Sequence, residues 1–132
     1  VLLVDSNILI DLFTDDPGWA DWSAQALQRA AEQYQPAINP IIYAELAPAF
    51  QSRERLDQAL APLQFHFSTL PYAAGFLAAR AYLRYRKKGG DRRSPLPDFY
   101  IGAHAASKNL PLLTRDPKRY RTYFPQVQLI TP

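Results

Sequence analysis

Four acids, Asp5, Glu45, Asp98 and Asp116, carry the chemistry this chain can do. Asp5 closes the apolar run Val1-Leu2-Leu3-Val4, and Asp116 follows Leu112-Leu113-Thr114. A buried strand that ends on a carboxylate presents it at the carboxyl edge of the sheet, where open α/β folds hold their ligands. Glu45 and Asp98 lie close behind the expected starts of two helices, and helix starts share that edge in a parallel sheet. Four carboxylates gathered there repel one another, by roughly 3 kcal/mol per pair at about 5 Å and an effective dielectric near 20. A hard divalent cation removes the conflict. A donor set of oxygen alone, without thiolate or imidazole, selects Mg²⁺ or Mn²⁺.

Such a site suits phosphodiester hydrolysis, which needs an activated water in line with the leaving oxygen and positive charge on the phosphate. Asp5 and Asp98 are expected to bind the cation directly, and Asp116, with Thr114, to hold a water on it or a second ion. Glu45 is the candidate to orient or deprotonate the attacking water. Arg115 and the basic run Arg84 to Arg93, chiefly Arg86, Lys87, Lys88, Arg92 and Arg93, are candidates to position an RNA backbone through phosphate contacts. Several of these residues also have a plainer role. Asp5-Ser6-Asn7 can be a turn or cap, Asp98 a bare cap, Glu45 a solvated helix residue, and the basic run a set of cations on a helix dipole.

The elements that must position these side chains alternate between strand and helix. Thr14-Asp15-Asp16-Pro17 predicts a helix start, with Asp16 as cap and Pro17 at the first helical position, running to about Gln33. Trp19 and Trp22 fall on its apolar stripe, as core or interface rather than a base-stacking platform. Pro36 to Pro40 predicts a short second strand, followed by a helix over Ile41 to Ala47 in which Glu45 is the only charge. Further helices are predicted over Ser52–Leu63 and Tyr72–Lys88, with a strand over Gln64–Phe67 between them. His66 has no acidic or histidine neighbour at ligand spacing and reads as structural. Pro97 opens another helix with Asp98 in or beside its cap, and His104 is expected half-exposed upon it. Leu110–Leu113 predicts a strand, Tyr120–Phe124 a short helix or turn, and Val127–Ile130 a closing edge strand.

The 132 residues predict one domain with a real core, α/β in class, built on a parallel sheet of about five short strands. With no cysteine, disulfides, thiolate zinc sites and Cys nucleophiles are excluded. Net charge is +3, a bias that permits a polyanionic partner without requiring one. No membrane-length apolar run or signal-peptide pattern is present, so a cytoplasmic protein is expected. The sequence contains no Met, so an initiator is expected to have been lost.

The order VDSN, YAEL, PLPDFYIGAHA and LLTRD resembles that of the PIN domain, with spacing similar to the VapC-type toxins of bacterial toxin–antitoxin pairs. The resemblance spans nearly the whole chain. It implies a metal-dependent endoribonuclease with Asp5, Glu45, Asp98 and Asp116 as its acidic quartet and Asn7 and Thr114 as polar helpers. It further implies a homodimer blocked by a small antitoxin, or, alternatively, a housekeeping RNA-processing nuclease. Two other classes fit less well. An aspartate-nucleophile phosphatase wants a second Asp where Asn7 stands, and a phosphoacceptor receiver wants an acidic pair before its acceptor strand and a late lysine.

Overall fold

The computed structural model describes residues 1–90 and 96–132. β1 (Leu2–Val4) is wholly buried, as its unbroken aliphatic run requires, and it lies at the centre of the sheet. Asp5 caps α1 (Ser6–Phe13), so the apolar residues after the polar break belong to a helix. α2 is Ala20–Gln33, β2 Pro36–Ile38, α3 Pro40–Leu46 and α4 Arg53–Leu60. β3 (His66–Phe67), α5 (Tyr72–Lys87), α6 (Leu96–Lys108), β4 (Leu112–Leu113), α7 (Lys118–Tyr123) and β5 (Leu129–Ile130) complete the order.

Among the described residues the strands form one five-stranded sheet in the order β3-β2-β1-β4-β5, every pair parallel. The order reverses at β1: the chain moves outward to β2 and β3, then returns across to β4 and β5. That switch point opens a crevice at the carboxyl end of β1. α5 packs chiefly on α6, presenting Ala74, Ala78 and Ala81 as its buried face. On α6, a Cβ at Gly102 would stand 2.4 Å from the Phe124 ring, so only glycine lets the end of α7 close on this helix.

Several boundaries differ from expectation. Asp16 does act as a cap, its Oδ2 accepting from the Gly18 and Trp19 N–H groups at 3.0 and 2.8 Å. What it caps is a turn, however, and regular helix begins only at Ala20. α6 begins at Leu96, which moves Asp98 from the cap into the first helical turn. His104 is buried at 2% exposure, not half-exposed. Asn39 caps α3 by accepting from Ile42 N at 2.9 Å, which leaves its amide NH₂ to meet His104 Nδ1 at 3.0 Å. Burial lowers the His104 pKa, favouring the neutral ring that can accept there. The helices carrying Glu45 and Asp98 are thereby tied together. No described helix is long and apolar enough to cross a membrane.

Candidate metal centre

Asp5 is fixed first by its backbone. Its N–H donates to Leu113 O at 2.9 Å, which sets the end of β1 against β4. Its side chain is 3% exposed and surrounded by donors. Oδ1 accepts from Ser6 N at 2.8 Å, while Oδ2 accepts from Thr114 Oγ1 at 2.8 Å, Tyr120 OH at 2.9 Å and, more weakly, Asn7 Nδ2 at 3.4 Å. The lone pairs of Oδ2 are therefore taken up by protein, and Oδ1 retains one for a ligand.

Asn7 and Thr114 form a brace across the sheet. Asn7 Nδ2 also reaches Thr114 Oγ1 at 3.3 Å, and Arg115 N donates to Asn7 Oδ1 at 3.3 Å. Thr114 Oγ1 in turn accepts from Asp116 N at 3.1 Å, so one hydroxyl shapes the loop after β4 and holds Asp5. Glu45 projects from α3 with Oε1 accepting from Ser6 Oγ at 2.9 Å. Asp98, in the first turn of α6, accepts from Arg119 Nη1 at 2.7 Å.

Asp5, Glu45 and Asp98 each offer an oxygen, all within 4.8 Å of one another. Burial, then the charge of Asp98, raises the Asp5 pKa to about 7, against the opposing pull of the Thr114 and Tyr120 hydroxyls. Burial likewise raises Glu45 and Asp98, with Ser6 opposing in one case and Arg119 in the other. Three hard oxygen donors whose ionisation is held back by burial and by each other fit a hard divalent cation. Asp116 stands outside this group. It is exposed, and with Asp98, Arg119 and Tyr123 it lines an adjoining cleft of about 430 Å³.

The basic candidates divide. Arg86, Lys87 and Lys88 sit at the C-terminal end of α5, where Lys88 Nζ lies 5.8 Å from the centre of the Tyr123 ring. Arg92 and Arg93 lie outside the described residues. Arg115 turns inward rather than outward: its Nε is 3.0 Å from Asp11 Oδ2, and its guanidinium lies 5.1 Å over the Trp19 ring. Asp11, 1% exposed, also accepts from Ser23 Oγ at 2.8 Å. Trp19 also meets Trp22 in a T-shaped contact at 5.9 Å.

Sequence reasoning missed Ser6, Asp11, Arg119 and Tyr120. Ser6 was legible only as part of a polar turn. Arg119 and Tyr120 reach their partners across 21 and 115 positions, and no local pattern announces such pairs.

The acids stand at the switch point of a parallel sheet, and residues 2–125 match the PIN domain family. The chain belongs to that family. Among solved structures it is similar to a toxin–antitoxin complex from Klebsiella pneumoniae, at 28% identity and a TM-score of 0.70, covering 100% of this chain and 98% of that one. It also resembles VapBC2 from Rickettsia felis bound to a promoter DNA fragment, at 20% identity and TM-score 0.76, covering 99% and 98% of the two chains. VapBC-1 from nontypeable Haemophilus influenzae gives 22% identity and TM-score 0.73, covering 98% and 96%. No curated protein matches the chain closely enough to count as a relative.

Proposed function

We propose that this PIN domain is a Mg²⁺- or Mn²⁺-dependent endoribonuclease, the toxin of a toxin–antitoxin pair acting in the cytoplasm. The observation that carries the reading is the triad itself: Asp5, Glu45 and Asp98 offer oxygens within 4.8 Å of one another at the carboxyl edge of the sheet. Asp5 and Asp98 would hold the cation, with Asp116 at the mouth of the site. The bound ion would supply positive charge to the phosphate and acidify water.

The chain's own groups supply the rest. Glu45, held through one oxygen by Ser6, keeps its other oxygen for the proton of the attacking water, and burial raises its pKa, which makes it a stronger base than an exposed glutamate. Thr114, Tyr120 and Ser6 fix Asp5 in one orientation, so that little rearrangement is needed when substrate arrives. Lys88 and its neighbours on α5 lie beside the cleft that adjoins Asp98, where the RNA backbone can follow them.

Partners are supported by two observations. The Klebsiella structure is a toxin–antitoxin complex, and an antitoxin is the partner we assign to this chain. The outer side of α5 exposes Tyr72, Phe76 and Leu83 at 100, 64 and 57%, a stripe that fits a second copy of the chain in a homodimer.

The test is incubation of the purified protein with structured RNA and Mn²⁺, followed by sequencing of the new ends. Discrete cuts are expected, lost with a chelator and in Asp5→Asn. Phosphate released from small esters without cuts, or phosphate retained on Asp5, would return the site to the phosphatase or receiver class.

A further inference from the structure

The acid triad meets one further side chain, a cation, that the proposed reaction does not use. Arg119, on α7, donates to Asp98 Oδ2 through Nη1 at 2.7 Å, both side chains remaining about 30% exposed (31 and 29%). It is the cation that the described residues pair with a member of the triad. The contact uses one nitrogen, not the two-pronged geometry in which arginine holds a carboxylate most strongly. The guanidinium also lies 5.4 Å from the centre of the Tyr85 ring. Arg119 thus has a second seat, on an aromatic face, that does not depend on Asp98.

That second seat opens on the cleft lined by Tyr85, Asp98, Asp116, Lys118, Arg119 and Tyr123. Lys118 is exposed at its rim, and Lys88 lies over Tyr123. Two cations and two tyrosine rings beside the acids are the furnishings of a nucleotide subsite: phosphate for the cations, a base for the rings. A guanidinium bound to Asp98 is spent on neutralising it. Released, the same group faces the cleft.

We propose that Arg119 is the resident counter-ion of the acid triad, displaced from Asp98 by a divalent cation and then used to bind an RNA phosphate in the Tyr85–Tyr123 cleft. The inference rests on the proposed metal-binding role of the triad. A divalent ion held by several carboxylates outcompetes one monodentate guanidinium, and repels it, because two cations now share one small anionic region. Arg119 and the ion therefore oppose each other in binding while serving consecutive needs of the same site. If Arg119 instead oriented Asp98 for the ion, its loss would weaken metal binding. The two roles have opposite signs.

The experiment measures Mn²⁺ binding by calorimetry on the full chain, in wild type, Arg119→Gln and Arg119→Lys, alongside their melting curves. Arg119→Gln should bind Mn²⁺ more tightly by a factor of about three to ten, and Arg119→Lys should stay near wild type because it keeps the charge. In a Glu45→Gln background with Mn²⁺ present, Arg119→Gln should bind a mixed-sequence oligoribonucleotide several-fold more weakly. Its salt slope should be shallower by about 0.7, the share of one phosphate on a single strand. Unchanged or weakened Mn²⁺ binding in folded Arg119→Gln, or an unchanged salt slope, overturns the proposal. Failure of the underlying reading looks different: wild type and Asp98→Asn would then show the same absence of Mn²⁺ binding.

Discussion

The Tyr120 hydroxyl donates to Asp5 Oδ2 at 2.9 Å, joining α7 to the end of β1 across 115 positions of sequence. It shares that oxygen with Thr114, so Asp5 is held by two hydroxyls that both favour its ionised form. Tyr120→Phe removes one of them and keeps the ring, which is buried at 1% exposure. The Asp5 pKa should then rise further. The acidic limb of the pH–rate profile should move to higher pH, and Mn²⁺ affinity near neutrality should fall as a proton competes better for the carboxylate. An unmoved limb would make Tyr120 a packing residue only. The expected effect corresponds to the loss of one hydrogen bond to a charged group, about 1.5–3 kcal/mol.

Stability of the metal-free protein should fall as pH rises between about 4 and 7. Asp5 titrates near its ordinary value in the unfolded chain, 3.8, and at about 7 in the folded one. Between those values the folded state binds more protons, so each step upward in pH favours unfolding. The contribution is fully present below the unfolded pKa and lost once pH passes the folded one. Melting temperature measured across this range with a chelator should decline by several degrees. Saturating Mn²⁺ should remove or reverse that slope. His104, whose lowered pKa acts with the opposite sign, is untouched by Asp5→Asn, so a slope that this variant leaves unchanged would contradict the raised Asp5 pKa.

Arg115→Met should cost stability and leave RNA binding alone. It abandons Asp11, 1% exposed, with only Ser23 to satisfy it, and an unpaired buried charge costs about 3–5 kcal/mol. Denaturant unfolding reads the first effect, and the salt dependence of RNA binding the second. A shallower salt slope at unchanged stability would give Arg115 the phosphate contact that its sequence position suggested.

Neutralising Arg86, Lys87, Lys88, Arg92 and Arg93 together should weaken RNA binding and flatten its salt dependence, by about 2 in slope if three phosphates are lost. The melting temperature should change little, since Lys87 and Lys88 are exposed. An unchanged slope would return the described part of the run, Arg86 to Lys88, to the service of the helix dipole.

How much of this was legible in the sequence varies with the range of the interaction. β1 and β4 show as aliphatic runs that stop at polar residues, because strands buried on both faces need unbroken apolar sequence. Asp5 was visible for the same reason: a carboxylate abutting such a run is conspicuous, whereas Glu45 and Asp98 showed only as acids behind helix starts. Arg115 was not legible, since its neighbour Thr114 holds Asp5 and Asp116 lines the adjoining cleft while its own partners sit on α1 and before α2. His104 misled because a histidine on a helix carries no sign that an asparagine on another element will satisfy it. The start of α2 was misplaced because a Pro after an Asp cap signals a turn as well as a helix.

β1 is flanked by β2 on one side and by β4 on the other, with Leu3 facing both Ala37 and Leu112. A ribosome delivers these neighbours at very different times. β1 can pair with β2 early in synthesis, but β4, Thr114 and Tyr120 emerge only near the end of the described chain, and Asp98 not long before them. Until then Asp5 lacks both hydroxyls that hold it, and the oxygens of the triad cannot meet. A growing chain of this topology cannot close its acid triad until α6 and α7 have been made.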